Sequence, residues 1–293
     1  MKTAPTIQGP LTPRSRTAGA FTLVEVMVVV ALLSLIVLAL MAVFDSTQKA
    51  FRASITQTDM LEGGRAAIDF MAADLRRMSP SGGASNLVTG PVNFYANTNA
   101  GVNPLMQPMV ATAQMRENVL ENFFVLSREN LDWRGVGYAV VPASTRGLYS
   151  LYRFESTPVR GNLVTLFNQF TNFLAAPTNY SHLMDGVVHL VVRPYDPDGV
   201  WMTNNVLVHN GQTNINRNVF YYPRTTAGAA GFKMFSATLP ASVDIEMGVV
   251  EDRMLARAES RPNPSAYLTN ASGQLHVFRE RVSVPNVDPS AYR

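Results

Sequence analysis

The chain has 293 residues, enough for one large domain or two smaller ones, and an ordinary apolar content of 47%. It contains no cysteine, which excludes disulfides, thiolate metal sites and cysteine nucleophiles. The formal net charge of +3 lies in the first twenty residues, where Lys2, Arg14 and Arg16 stand without any acid. The remainder is electrically balanced, so nothing in the charge indicates nucleic-acid binding by the main body.

The first predicted element is a membrane-spanning helix. From Val26 to Phe44 the chain has nineteen residues without a charge, and Ser34 is the one polar interruption. At about 1.5 Å per residue this run nearly spans a hydrocarbon core of about 30 Å. A secretion signal has a shorter apolar run followed by a small-residue cleavage site, and no such site follows here. The basic leader predicts a cytoplasmic N-terminus and an external remainder.

The same helix is predicted to continue past the apolar run. Apolar residues recur at spacings of three, four and seven, which is a helical stripe, at Phe44, Phe51, Ile55, Leu61, Ile68, Met71, Leu75 and Met78. The sequence therefore predicts one nearly continuous helix from about Phe21 to Met78, apolar all round at first and amphipathic afterwards. Gly63 and Gly64 are a candidate bend, because each Gly costs about 1 kcal/mol relative to Ala in a helix.

Glu25 is the one carboxylate near the start of the apolar run. One interpretation places it in water at the cytoplasmic interface, and the other gives it a function that requires a partner cation. The apolar run supplies no cation. A free amino group four residues upstream would supply one if the chain were cut between Ala20 and Phe21.

Beyond the helix the pattern becomes mostly β. Residues 80–118 are rich in Ser, Gly, Asn, Thr and Pro, which predicts a variable surface loop, or a functional excursion, with one short strand near Val92 to Tyr95. Aromatic and β-branched runs then predict strands at residues 122–127, 135–143 and 147–155, with a hairpin loop at 142–147.

One further helix and four further strands are expected. Leu163, Leu166, Phe167, Phe170, Phe173 and Leu174 fit a helical stripe that is capped by Asn162 and stops before Pro177. We expect this helix to pack on a sheet, with groove or membrane-surface binding as the alternative. Residues 186–210 predict two strands around a turn, and residues 241–253 and 274–286 one strand each. Val243 and Ile245 alternate with Asp244 and Glu246. The pattern predicts an α+β fold with an antiparallel sheet.

No catalytic or metal-binding pattern is recognisable. The four histidines show no ligand spacing and comprise His182, His189, His209 and His276; we interpret His189 and His276 as sheet residues. Asp196, Asp198 and Gly199 predict a hairpin turn rather than a calcium loop, because the later carboxylate that such a loop needs is missing. We therefore expect no cofactor, no metal and no enzymatic activity.

The stretch AFTLVEVMVVVALLSLIVLAL resembles the cleavage and methylation segment of type IV prepilins and type II secretion pseudopilins. In that family a prepilin peptidase removes a basic leader on the cytoplasmic side, and the new N-terminal residue, usually Phe, is N-methylated. Phe21, Thr22, Leu23 and Glu25 match the family motif position by position. The resemblance implies that Glu25 neutralises the amino group of Phe21 in a neighbouring subunit during assembly.

The residues before the predicted cut depart from the family pattern. The family nearly always has Gly at the position of Ala20, and here Gly19 stands one residue earlier. Ala is small and is the closest substitute for Gly at that position. The peptidase would therefore act on an uncommon junction between Ala20 and Phe21.

Four later blocks resemble, in this order, the J-type minor pseudopilin of type II secretion, and are also shared with some minor type IV pilins: VGYAVVPASTRGLYSLYR, LMDGVVHLVVRPYDPDGVW, LPASVDIEMGVVEDR and FRERVSVPN. This chain is longer than the usual J-type protein. The excess falls at residues 80–118, 156–180 and 203–231, which are interpreted as insertions.

The resemblance implies a leader at residues 1–20, a transmembrane half-helix at 21–44, an amphipathic half-helix at 45–79 and a periplasmic pilin-like head at 80–293. It implies a single-pass protein of the bacterial inner membrane that joins a filament with other minor and major pseudopilins or pilins. It would help to initiate a pseudopilus, or alternatively a type IV pilus for adhesion, motility or DNA uptake. A signal-anchored exported enzyme or binding protein is the alternative of another class.

Overall fold

The computed structural model describes residues 21–83, 90–99, 102, 104–108, 114–141, 148–175, 180–203, 206–209, 212–222, 231–270 and 275–292. Its contacts divide the chain into two units, Met1–Ser54 and Ile55–Arg293. We call the second unit the head. The predicted hairpin loop at residues 142–147 lies outside the described residues.

The first element is the long helix α1, Leu23–Arg76, which confirms the continuous helix expected from about Phe21 to Met78. All its side chains up to Ser54 are exposed. Within the head, one face of α1 is buried. Its buried residues mostly recur at spacings of three and four, and they are Met60, Gly64, Ala67, Ile68, Met71, Ala72, Asp74 and Leu75. From Met60 onward, the predicted helical stripe is therefore buried with the expected period, whereas Phe51 and Ile55 of the same stripe are exposed.

Helix α1 continues without interruption through Gly63 and Gly64, the candidate bend. Gly64 serves close packing. A Cβ built on Gly64 would lie 2.4 Å from the ring of Phe278, whereas one on Gly63 would meet no atom within 4 Å. The absence of a side chain at Gly64 lets the Phe278 ring approach the helix backbone.

The two glycines provide a matched test of this packing. Gly63→Ala should raise the free energy of unfolding by up to about 1 kcal/mol, because Ala is the better helix former. Gly64→Ala should lower it, since overpacking against Phe278 outweighs that gain, so the two variants should differ by about 2 kcal/mol. Denaturant unfolding of the full chain in detergent micelles measures the difference. Equal stabilisation by both substitutions would contradict the packing role of Gly64.

The remaining elements alternate between strands and three short helices. The strands are β1 Val92–Thr98, β2 Leu105–Pro108, β3 Met115–Asn118, β4 Glu121–Glu129, β5 Asp132–Val141, β6 Ser150–Ser156, β7 Ser181–Met184, β8 Val187–Tyr195, β9 Val206–His209, β10 Gln212–Ile215, β11 Val219–Tyr222, β12 Gly231–Phe235, β13 Ser242–Val250 and β14 Leu275–Ser283. The helices are α2 Val164–Ala175, α3 Asp252–Glu259 and α4 Pro264–Thr269, and a 3-10 turn follows at Pro289–Tyr292. Neither α3 nor α4 was predicted.

Two main sheets form the head, and all pairings between their strands are antiparallel. The larger sheet has the order β11-β12-β1-β4-β5-β6-β7, and the smaller has the order β14-β13-β8. Two short ribbons, β2 with β3 and β9 with β10, complete the described strands. A long N-terminal helix followed by an antiparallel sheet domain confirms the predicted α+β class.

Alternate residues of the large sheet enter two cores. Phe123 and Val125 of β4 face a core shared with α1 and the small sheet, while Phe124 and Leu126 face a second core with α2. Helix α2 therefore packs on the sheet as expected. The Asn162 side chain accepts a hydrogen bond from the backbone N–H of Val164 at 3.1 Å, as expected of a cap.

The interpretation of residues 80–118 as a loop with one short strand is only partly right, because the described residues of this range form three strands, β1, β2 and β3. Strand β1 is an interior strand that pairs with both β4 and β12. Its buried Asn93 donates to the carbonyl oxygens of Ser236 and Thr238, at 2.7 and 3.1 Å. A polar residue can occupy the interior here because distant backbone satisfies it.

The strand pairing expected after β8 is also wrong. The two strands on either side of the turn after Tyr195 do not pair with each other: β8 pairs with β13, and β9 pairs with β10. A single isolated bridge joins Tyr195 to Trp201 across the turn. Hydrophobic alternation predicts strands, but it carries no information about which strand is the neighbour. The alternation of β13 is confirmed, since Val243 and Ile245 are fully buried in the core that lies between α1 and the two main sheets.

Candidate functional site

The candidate site is the start of α1, where Thr22 precedes the first helical residue. The Glu25 carboxylate oxygen Oε2 accepts hydrogen bonds from the Thr22 backbone N–H and from the Thr22 hydroxyl, each at 2.9 Å. The Glu25 backbone N–H lies 3.3 Å from Thr22 Oγ1 and donates to it. These reciprocal bonds form a capping box, in which two otherwise unpaired backbone N–H groups gain partners.

The capping box gives Glu25 a role in the chain before any cleavage. A carboxylate in the first turn is also favoured by the positive end of the helix dipole. Thr22 was predicted only as part of the recognition motif, and its capping role was not predicted. The signal was available, because Thr followed three residues later by Glu before an apolar run is typical of a capping box.

The other predicted site residues surround this cap. Gly19 and Ala20 lie outside the described residues. Phe21 is 84% exposed and Leu23 is also exposed, so their side chains have no packing role within the described part of this chain. Cleavage between Ala20 and Phe21, methylation of Phe21 and charge pairing by Glu25 stay predictions.

The apolar run after Glu25 has the chemistry of a membrane segment. Its most apolar 18-residue window has a mean hydropathy of 3.2, and no residue of that window is buried in the structure. The one hydroxyl in the run, Ser34 Oγ, donates to the carbonyl oxygen of Val30 at 2.8 Å, so it needs no water. Charges return with Asp45, which pairs with Lys49 at 2.7 Å. The exposed apolar helix indicates membrane anchoring.

The four histidines lie in strands, and Asp196 lies in the turn after β8. His189 lies in β8 and His276 in β14, as expected of sheet residues, and His209 lies in β9. His182 Nε2 lies 2.8 Å from Asp185 Oδ1. Asp196 Oδ1 accepts from the Val200 backbone N–H at 2.8 Å, which stabilises the predicted turn, although the strands on either side of it do not pair with each other. Within the described ranges, no three His, Asp or Glu side chains converge as a metal site would require.

Comparison with known proteins identifies the N-terminal segment. Residues 15–41 match the model of the prokaryotic N-terminal methylation motif, which includes the capping box and most of the apolar run. No curated protein matches the chain significantly. No solved structure matches it significantly either. The chain therefore carries a prepilin-type N-terminal motif ahead of an α+β domain, and this combination supports a type IV pilin-like or pseudopilin-like protein.

Proposed function

We propose that the chain is a structural, non-enzymatic minor pseudopilin that helps to initiate or cap the pseudopilus of a type II secretion machine. The observation that carries the proposal is the methylation motif at residues 15–41, joined to a helix whose apolar half is exposed. The order of the four blocks that resemble a J-type pseudopilin favours this assignment. A minor type IV pilin is the second candidate, because the same motif serves both machines.

In this proposal a prepilin peptidase cuts between Ala20 and Phe21 on the cytoplasmic side, and Phe21 becomes N-methylated. The basic leader favours that orientation, which leaves the head in the periplasm and the run from Val26 to Phe44 in the inner membrane. The leader at residues 1–20 is absent from the mature subunit.

Assembly in this proposal exchanges one environment of α1 for another. While the subunit is stored, lipid surrounds the exposed apolar side chains. When it enters a filament, helices of neighbouring subunits replace the lipid. Glu25 would then pair with the amino group of Phe21 of a neighbouring subunit, since a carboxylate among apolar helices needs a cationic partner. The Thr22 cap keeps the carboxylate hydrogen-bonded until that partner arrives.

N-terminal mass spectrometry and filament incorporation test the proposal together. The mature chain should begin at methylated Phe21, both in the wild type and in Glu25→Ala. Incorporation of Glu25→Ala into filaments should fall by roughly tenfold or more, because the amino group of the neighbour loses its counter-charge. Asp45→Ala, at the far end of the apolar run, is the matched control and should assemble normally.

Two results would contradict the proposal. A mature chain that begins at Met1, or is cut anywhere other than before Phe21, would exclude prepilin processing. Normal incorporation of Glu25→Ala would exclude the charge-pairing role. Co-purification with the other minor pseudopilins of a type II secretion machine, the I-type and K-type subunits, would support the first candidate. Co-purification with pilus subunits would support the second candidate.

A further inference from the structure

Among the described strands, β14 is an outer strand with one unpaired edge. It lies at the end of the order β14-β13-β8 and pairs with β13 over nine residues. Just beyond the strand, the Val284 backbone N–H donates to the carbonyl oxygen of Ala241 at 2.9 Å. Because backbone groups alternate along an antiparallel pair, those of Val277, Arg279 and Arg281 point away from β13. In the described ranges, no backbone hydrogen bond reaches that outer edge.

The same alternation places two arginines on the outer face of the sheet. The side chains of Arg279 and Arg281 are 59% and 52% exposed, although both contact the buried Asp244. Arg279 Nη2 lies 2.9 Å from Asp244 Oδ2, and Arg281 Nε lies 2.8 Å from Asp244 Oδ1. Tyr195 supports the second arginine, whose guanidinium carbon lies 3.9 Å from the centre of the tyrosine ring.

This outer face carries an excess of positive charge toward solvent. Within the part of the chain that the structure describes, four arginines on or beside this face contact two carboxylates, Asp244 and Glu246: Arg116, Arg193, Arg279 and Arg281. The carboxylate side chains are also less exposed than any of the four arginines. A ligand approaching β14 therefore meets guanidinium groups before it meets carboxylates.

The charge pattern decides which kind of strand fits the edge. A second copy of β14 would bring arginine opposite arginine, which disfavours self-pairing. An acidic strand would instead place carboxylates opposite the two arginines. Strand β13 already does this on the inner edge of β14. There Asp244 stands opposite Arg281, and Glu246 stands opposite Arg279.

We propose that the outer edge of β14 binds an extended acidic segment of a partner protein as an added strand. The segment carries carboxylates on two alternate residues, opposite Arg279 and Arg281, while its backbone bonds to the unpaired groups of β14. The proposal rests on the head alone and does not depend on the N-terminal motif or on the machine that the chain serves.

A labelled peptide tests the charge requirement on the full chain in detergent micelles. The probe is the fluorescein-labelled heptapeptide Thr-Val-Asp-Thr-Glu-Val-Thr, and its control has Asn and Gln in place of Asp and Glu. Fluorescence anisotropy should show that the acidic peptide binds about tenfold more tightly than the neutral one. Arg279→Gln should weaken binding about fivefold, and Arg257→Gln, an exposed arginine on α3, should leave it unchanged.

A second variant tests strand addition separately from charge. Val277→Pro removes an outward N–H, and the bonds between β14 and β13 stay in place because that N–H does not point toward β13. Binding of the acidic peptide should fall about tenfold. Hydrogen exchange measured on the wild type gives the same test without a substitution, since the peptide should slow exchange in β14.

The proposal is overturned if the wild type fails to bind the acidic peptide, or if the neutral peptide binds equally well. It is also overturned if the bound peptide leaves exchange in β14 unchanged. In those cases the two arginines only protect an exposed edge from self-pairing.

Discussion

Arg153→Met is expected to lower the free energy of unfolding of the head by about 3–5 kcal/mol. The substitution leaves the carboxylate of Asp74 buried without its cation, and breaking a buried ion pair from one side is among the most damaging single changes. Asp74 lies on the buried face of α1, and Arg153 lies on β6, so the pair joins the helix to the large sheet.

Three side chains share this contact. Arg153 Nε lies 2.9 Å from Asp74 Oδ2, and Tyr138 Oη lies 2.5 Å from the same oxygen. The side chains of Arg153 and Asp74 are 19% and 8% exposed. Burial, and then the Asp74 charge, raise the pKa of Tyr138, so its hydroxyl stays protonated and donates a hydrogen bond to Asp74. Arg153 also pairs with Glu155.

Arg76→Met is the matched control for this prediction. Arg76 also joins α1 to a strand, through Glu280 at 2.8 Å, but its side chain is 55% exposed. Loss of so exposed a pair should cost less than about 1 kcal/mol. Denaturant unfolding followed by the fluorescence of Trp133 and Trp201 measures both variants in detergent micelles. If Arg153→Met is no more destabilised than Arg76→Met, the buried contact does not hold α1 to the sheet.

Acidification is expected to destabilise the head through His189, by about 3 kcal/mol between pH 7 and pH 4. The residue is 3% exposed, and its Nε2 lies 3.4 Å from Glu246 Oε1. Neither ring nitrogen makes a hydrogen bond within the described part of the chain. Burial, and then the charge of Arg116, lower the pKa of His189 to about 4, although the Glu246 carboxylate opposes this and Arg193 adds to it.

The sign follows from proton binding in the two states. In the unfolded chain His189 takes up a proton near its ordinary pKa of about 6.5, whereas in the head it stays neutral down to about pH 4. The unfolded state therefore binds more protons in this window, and stability falls as the pH falls through it. At about 1.4 kcal/mol for each pH unit, the total loss is about 3 kcal/mol.

His189→Met removes this titration while keeping a side chain of similar size. Its unfolding free energy should depend less on pH, so that the difference between variant and wild type changes by about 3 kcal/mol from pH 7 to pH 4. Val188→Ala, a neighbouring core substitution without a titratable group, should shift the wild-type curve without changing its slope. Parallel curves for His189→Met and the wild type would show that the histidine contributes nothing to acid sensitivity.

The sequence alone was sufficient where a local pattern and the final environment agree. The apolar run, the helical stripe of α1, the capped helix α2 and the alternation of β13 were all predictable. In each, hydrophobic periodicity records which face is buried. The Thr22–Glu25 cap could have been predicted too, because its hydrogen bonds join residues three apart.

Pairing and close packing needed the tertiary structure. Local pattern did not predict that β8 pairs with β13, or that β1 lies inside the large sheet, because strand neighbours are chosen by contacts between distant residues. The same holds for Gly64, whose missing side chain matters only because Phe278 lies against it.

The sequence by itself determined the helix α1, its apolar run and the antiparallel class of the head, because these follow from hydrophobic period and length. Only the tertiary structure brought Asp74 to Arg153, and left the outer edge of β14 beside two exposed arginines. Charges far apart in the chain gain or lose partners according to how the chain folds, and no local period encodes that choice.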